Sequence, residues 1–495
     1  NKVIYKSDPK APEQVALKFL ELIRLNQISN MRLDYTKSLA EPDYHRIIAI
    51  NFTGGKKVSD GKSKETYSQF QFWIKTLYLL ATEMDEVASL NPSTMPVHSR
   101  ALRTELALEI EDFCRTISTF TVDQARSSQE QMKNIISKYN GVKIEKDALD
   151  DYKKRFEKLK IWDCSGLIVP LMFKSSPTSN SNSLIVAINN INIFANREDA
   201  KRFNQRKELQ RLIQDSKWYS DILDGKKLTY ADMFIRILAE YTVGDKGKWV
   251  EAKNKIADFH SKEGFALSTD NFMKICLMLI KGKLNVPIVI MGESGCGKTY
   301  LTQFVSKCLL GEELKLLTLY SGITEVELLS FIKSCVDLAK QEKAKGNKVW
   351  LFFDEFNTTP LQSLICEIMI DRVCSVAPQE MNISEIPDNI VFVAACNPYR
   401  LRIKQTDVGL VPKGTDTILS HRVYPIPERI LNYVWDFGQL SSEDEKKYIT
   451  IMVKNAALFD KTNESTLEQF VNAVYNCHSY VRSVEERSGV SLRDV

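Results

Sequence analysis

Val286-Pro287-Ile288-Val289-Ile290-Met291-Gly292-Glu293-Ser294-Gly295-Cys296-Gly297-Lys298-Thr299-Tyr300 runs from an apolar segment through three glycines into a lysine and a threonine. The fully apolar run Pro287–Met291, closed by glycine, predicts a buried parallel strand. Gly292 to Thr299 then fits GxxxxGK[ST] between a predicted strand and a predicted helix. Gly295 and Gly297 let the backbone curl so that successive N–H groups converge on phosphate oxygens. The start of the following helix adds its partial positive charge. Lys298 is placed to reach the β and γ phosphates, and the Thr299 hydroxyl to ligate Mg²⁺. Gly292, Glu293, Ser294, Gly295, Cys296, Gly297, Lys298, Thr299 and Tyr300 are therefore the expected nucleotide-binding residues.

The chain downstream alternates in the same style. Tyr300–Leu310 predicts a helix, Lys315–Tyr320 a strand, Glu325–Gln341 a helix, Val349–Phe353 a strand, Leu361–Val373 a helix and Ile390–Ala395 a strand. Such β/α alternation means a parallel sheet flanked by helices. Val349-Trp350-Leu351-Phe352-Phe353-Asp354-Glu355 begins 51 residues past Lys298 and ends in two carboxylates. Acids there face the crevice where α/β sheets hold ligands. Asp354 is expected to serve the Mg²⁺ ion and Glu355 to orient and deprotonate water; the competing reading is a helix N-cap.

Asn397, 43 residues after Asp354, ends the next apolar run. Its amide suits a γ-phosphate or the lytic water, while Asn397-Pro398 also forms a turn unaided. Arg422 follows Leu419-Ser420-His421, and Arg493 lies in Ser491-Leu492-Arg493-Asp494. Each is a candidate charge donor to a nucleotide, Arg422 in trans and Arg493 from a lid; a solvated surface arginine is the alternative. Glu443–Leu458 and Ser465–Arg482 predict helices, as a helical lid requires.

Upstream, Ala11 to Leu159 is mainly helical, with apolar residues at three-to-four spacing in Val15–Leu25, Phe72–Leu80, Leu102–Phe120 and Met132–Leu159. Arg46–Phe52 is a short β-like insert. Leu167–Phe173 and Leu184–Ile191 flank the polar stretch Ser175–Ser183 and predict a β-hairpin. Helical patterns follow at Arg197–Ser216, Ala231–Tyr241 and Asn271–Ile280. The expected partition is 1–160 mainly helical, 161–265 hairpin plus helices, 266–430 the α/β core and 431–495 a helical lid.

The 495 residues carry 67 basic and 63 acidic side chains, a net charge of +4, with 44% hydrophobic and 26% charged residues. That balance excludes wholesale disorder and gives no electrostatic footprint for nucleic acid. The best membrane candidate, Ile275 to Met291, is interrupted by Lys281 and Lys283, so no transmembrane segment is expected. Ten cysteines without a CxxC pair, beside five histidines, write no zinc module of ordinary spacing. Cys276, Cys308, Cys366 and Cys396 lie in apolar runs as small buried thiols, which suits a reducing, cytoplasmic location. The sequons at Asn51, Asn357, Asn382 and Asn463 are then chance matches. The chain opens on Asn1 and stops at Val495 within the Arg493 motif, so a longer parent is expected.

In this order, the phosphate loop, Asp354-Glu355, Asn397, Arg422 and Arg493 resemble the AAA+ ATPases, with Asn397 as sensor, Arg422 as arginine finger and Arg493 as second sensor. Val423 stands where many AAA+ relatives have an aromatic. Met291–Thr299, Phe352-Phe353-Asp354-Glu355-Phe356-Asn357-Thr358-Thr359, Met369-Ile370-Asp371-Arg372, Ala394-Ala395-Cys396-Asn397-Pro398-Tyr399-Arg400 and Tyr424-Pro425-Ile426-Pro427 resemble the mysterin family of giant RING-type ubiquitin ligases. Trp162 to Ile191 faintly resembles that family's degenerate unit. The resemblance implies ATP and Mg²⁺ as cofactors, neighbouring AAA+ units of the same polypeptide as partners, and ubiquitin machinery reached through the parent. A slow or non-hydrolysing ATP-binding module and a dynein- or midasin-type remodeller are the alternatives; no long heptad insert supports the last.

Overall fold

The structure is a computed structural model describing residues 12–25, 67–90, 168–174, 183–189, 249–262, 265–292, 295–376, 385–397, 424–431, 433–438, 442–455 and 464–484, with single positions among 104–114, 234–239 and at 383. It divides into two compact units, Asn1–Phe120 with Asp163–Asp258 and Leu267–Ile280, and Thr121–Trp162 with Phe259–Ala266 and Lys281–Val495.

In the first unit α1 (Pro12–Arg24) opens on proline, whose missing N–H is no loss in a first helical turn. It packs on α2 (Tyr67–Leu90). Phe19, Leu20, Trp73, Ile74 and Leu77 are buried, as the helical spacing predicts. The hairpin forms as β1 (Ile168–Lys174) and β2 (Ser183–Asn189), antiparallel with Leu171 opposite Val186. The expected elements Arg46–Phe52, Met132–Leu159 and Arg197–Ser216 lie outside the described residues. Two helices run across the unit boundaries, α3 (Trp249–Lys262) and α4 (Thr269–Lys283).

The second unit is built on a five-stranded sheet, counted among the described residues. Its strands are β3 (Ile288–Gly292), β4 (Glu313–Thr318), β5 (Val349–Asp354), β6 (Ile390–Cys396) and β7 (Val434–Gly438), in the spatial order β4-β5-β6-β3-β7. All neighbours pair parallel. From β3 the chain crosses to the far edge at β4, returns through β5 and β6, then passes β3 to reach β7. β6 is buried along its whole length and β5 along all but Asp354, whereas β4 at the edge buries only Leu314 fully. That contrast explains the uninterrupted apolar runs of β5 and β6, since a strand covered on both faces needs apolar residues at every position.

The helices follow from the same logic. α5 begins at Lys298 and continues as a widened turn through Phe304–Leu310, ending on Gly311 at φ 69°. Phe304 stacks on Phe265, with ring centroids 4.9 Å apart. α6 (Glu325–Lys343) carries a full capping box: Thr324 accepts the Glu327 N–H, and the Glu327 carboxylate accepts the Thr324 N–H. Its inner face, Leu328, Leu329, Ile332, Cys335, Val336 and Ala339, joins Val289, Leu351, Phe353 and Phe392 in one core. α7 (Gln362–Cys366, with a further turn to Asp371) and the single turn α8 (Glu428–Leu431) are tied by Arg429 and Asp371 at 2.6 Å. α9 (Ser442–Asn455) and α10 (Glu464–Val484) pack together, burying Tyr448, Ile449, Val453 and Val471 around Ala266.

β7 was not anticipated. It lies in sequence beyond residue 430, where the lid was expected to begin, and it completes the sheet beside β3. Among the described residues, nine cysteines are free and eight of them buried, only Cys477 being exposed. No described helix is long and apolar enough to cross a membrane.

Candidate nucleotide site

The sheet sets the site by bringing five carboxyl-terminal strand ends to one edge. β3 ends at Gly292, β5 at Asp354 and β6 at Cys396, with Met291 paired to Cys396 and Phe353 to Ala394. Residues just past those ends therefore share a crevice, where open α/β sheets bind ligands.

The loop after β3 needs glycine at three places for separate reasons. A Cβ on Gly292 would sit 2.9 Å from Phe437 Cβ and 3.1 Å from the Cys296 sulfur, so only glycine lets β7 approach. Gly295 and Gly297 hold φ at 75° and 91°, the left-handed region glycine enters without strain. A side chain on Gly297 would also come within 3.8 Å of the Tyr448 hydroxyl, so α9 reaches the loop. Lys298, nine-tenths buried, donates its ammonium to the Gly292 carbonyl at 2.7 Å. Cys296 is buried and Tyr300 half exposed. Glu293 and Ser294 lie outside the described residues.

Thr299 and Asp354 converge, the threonine Oγ1 donating to the aspartate Oδ2 at 3.3 Å. A hydroxyl and a carboxylate so placed are the hard oxygen donors a Mg²⁺ ion takes when phosphates and water complete its shell. The oxygen chemistry of this pair fits that ion; among the described residues there is no group of three or more His, Cys, Asp and Glu that could hold a metal.

Glu355 adopts φ 57° and ψ 38°. A non-glycine residue there carries strain that the surroundings must impose. Its N–H donates to Asp354 Oδ1 at 3.0 Å, and its carbonyl accepts both the Thr358 N–H and hydroxyl. The Glu355 carboxylate accepts a short hydrogen bond from the Asn397 side-chain amide. Glu355 occupies the N-cap position of the single turn Phe356–Thr358, but its side chain makes no capping hydrogen bond there.

Sequence reasoning gave Asn357 no role of its own, reading it as a chance sequon and as part of a family motif. The residue is fully buried, incompatible with a glycan. Its Nδ2 donates to the Asn397 carbonyl at 2.8 Å, and its Oδ1 accepts the Asn397 N–H at 3.3 Å. Its own carbonyl accepts the Tyr424 N–H at 2.6 Å. A signal was present, since a polar amide three positions past the strand-end acid Asp354 has backbone groups within reach. Arg422 and Arg493 lie outside the described residues, so the structure neither brings them to the site nor removes them from it.

Residues 265–400 match the family model described as the RNF213 AAA domain. The chain is 32% identical over 256 residues to E3 ubiquitin-protein ligase rnf213-beta of Danio rerio. It is 33% identical over 256 residues to E3 ubiquitin-protein ligase RNF213 of Mus musculus, and 30% over 254 residues to that of Homo sapiens. Each match covers 47% of this chain and 5% of the relative. Residues 265–400 are thus similar to the AAA domain of RNF213, in keeping with the mysterin-like resemblance of the motifs.

Proposed function

We propose that this chain is an ATP-binding and ATP-hydrolysing AAA+ module within a mysterin-like ubiquitin ligase, in which nucleotide state regulates ubiquitin transfer. The observation that carries the reading is the convergence of Lys298, Thr299, Asp354, Glu355 and Asn397 along one strand-end crevice. Each has the chemistry its place demands. The loop N–H groups and Lys298 bind phosphate, and the left-handed glycines keep the cradle open. Thr299 and Asp354 would hold Mg²⁺, which when bound neutralises charge on the β and γ phosphates. Glu355 orients the attacking water and takes its proton. Asn397, hydrogen-bonded to that carboxylate, fixes where it points. Arg422 and Arg493 are proposed as the finger presented to a neighbouring AAA+ unit and the lid sensor.

The domain limits 1–160, 161–265, 266–430 and 431–495 belong to the same proposal, with the core carried on through β7 to Gly438, as do a cytoplasmic location and ubiquitin-machinery partners. The test is steady-state ATP turnover by the whole chain with Mg²⁺, beside binding of a fluorescent ATP analogue. Turnover lost on Glu355→Gln with binding kept supports hydrolysis. Tight binding with turnover at background in the unaltered chain favours the non-hydrolysing regulatory module instead.

A further inference from the structure

We propose that Asn357 is a positioning residue for hydrolysis, acting on Glu355 through Asn397; this deepens the ATPase reading and rests on it. A carboxamide offers the same donor and acceptor as a peptide unit. At Asn357 both are spent on the backbone of one residue, the carbonyl and N–H of Asn397. β6 ends at Cys396, and β5 and β6 pair no further than Phe353 with Ala394. The Asn357 side chain therefore continues the ladder beyond its last backbone rung, at the point where the strands would otherwise be free to splay.

That rung lies directly under the catalytic contact. The residue it clamps, Asn397, is the one whose side chain holds the Glu355 carboxylate. Glu355 is itself two positions before Asn357, in a left-handed conformation that needs outside support. Asn357 closes a ring: strand end to strand end through its side chain, and strand end back to Glu355 through Asn397. Its carbonyl adds a third connection, to the Tyr424 N–H ahead of α8. Asn357 is fully buried and its partners are protein groups, so its effect is on the aim of the carboxylate and not on nucleotide affinity.

The experiment measures ATP turnover and fluorescent-nucleotide binding, with Mg²⁺, in the unaltered chain and in Asn357→Leu, Asn357→Asp, Asn397→Ala and the Asn357→Leu/Asn397→Ala double variant. Asn357→Leu keeps the volume and loses both hydrogen bonds; the expected result is kcat lower by about 10- to 100-fold. KM and analogue Kd should stay within about threefold, the pattern of a contact that matters only in the transition state. Asn357→Asp folds around a near-isostere and should lose most at about pH 8. Its deficit relative to the unaltered chain should shrink toward about pH 6, as the buried carboxyl takes a proton and regains a donor. The double variant should be no slower than Asn397→Ala alone. Equal turnover in Asn357→Leu, losses that multiply in the double variant, or losses that track the folded fraction in a melting curve would each overturn the inference while the ATPase reading stands. An unaltered chain that binds ATP without turning it over overturns the ATPase reading and this inference with it.

Discussion

The side-chain amide of Asn397 donates to the carboxylate of Glu355 across the gap between two neighbouring strand ends. Asn397 lies one step past β6 and Glu355 one step past β5, so sheet pairing sets their separation. Replacing Glu355 by glutamine keeps an acceptor for that amide while removing the basic oxygen. The expected outcome is turnover reduced by about 10²- to 10⁴-fold, with analogue affinity unchanged, read from single-turnover hydrolysis beside equilibrium binding. Normal turnover by Glu355→Gln would remove the general-base assignment.

Lys298 is held against the Gly292 carbonyl, a position from which the same ammonium can turn to a phosphate. Lys298→Ala removes the charge while leaving the loop's N–H groups. Fluorescent-analogue titration should show affinity falling by about 100-fold or more, on the order of 3 kcal/mol. Affinity within a few fold of the unaltered chain would place the phosphates elsewhere.

Gly292 and Gly297 should fail differently when changed to alanine. At Gly292 the added methyl meets the Phe437 Cβ at 2.9 Å, a clash with a strand that cannot easily withdraw. The expected loss is about 1–3 kcal/mol of stability, in the range of overpacking, seen as a lower denaturant midpoint. At Gly297 the neighbouring space is looser, and the penalty is the left-handed backbone, about 1–2 kcal/mol. Because that strain falls within the phosphate cradle, Gly297→Ala should also weaken nucleotide binding. An unchanged midpoint in Gly292→Ala would show that β7 yields more readily than its packing suggests.

Lys281 is wholly buried, with its ammonium 5.9 Å from the Trp435 ring, and burial pushes its pKa down to about 7 from an ordinary 10.5. The folded chain thus releases this proton earlier than the unfolded chain does. Between about pH 7 and about pH 10.5 the unfolded state binds more protons, so this residue's contribution to stability rises with pH. Lys281→Met should raise the melting temperature most below pH 7, with the gain shrinking as pH climbs toward 10.5. A gain independent of pH would mean that the lysine keeps its ordinary titration.

Thr324→Ala breaks the capping box at the start of α6, and urea unfolding should report a loss of about 1 kcal/mol. The Glu327 carboxyl is held below its usual value of 4.5 by its hydrogen bonds to the Thr324 backbone and hydroxyl. Its contribution is therefore complete above about pH 4.5 and disappears as pH falls through the lowered folded value. The alanine variant should show a flatter acid limb; a limb as steep as in the unaltered chain would detach the cap from the carboxyl.

How much of this was legible in the sequence depended on how local each signal is. β3, β5 and β6 announced themselves because burial on both faces forces uninterrupted apolar runs, and the loop after β3 by its glycine spacing. β7 did not: Val434-Trp435-Asp436-Phe437-Gly438 is broken by an acid, follows Leu431-Asn432-Tyr433, and becomes a strand through pairing with β3. The widened turn at Phe304–Leu310 has no pattern distinct from an ordinary helix. Asn357 was overlooked because its partner lies 40 residues away in sequence. Lys281, read as an interruption of an apolar run, proved to lie inside the core, where its aliphatic stem packs and its charge is penalised.

The central position of β3 has a consequence during synthesis. Both of its neighbours, β6 and β7, are encoded later than it is, β6 by about a hundred residues. At ribosomal speeds of about 5–20 residues per second, Ile288–Gly292 waits about 5–20 s before its first neighbour emerges. Through that interval the most apolar element of the phosphate cradle is an unpartnered strand competing for other strands nearby. Nascent chains stalled before Ile390 should consequently recruit chaperones and aggregate, and those stalled beyond Gly438 should gain protease resistance in a single step.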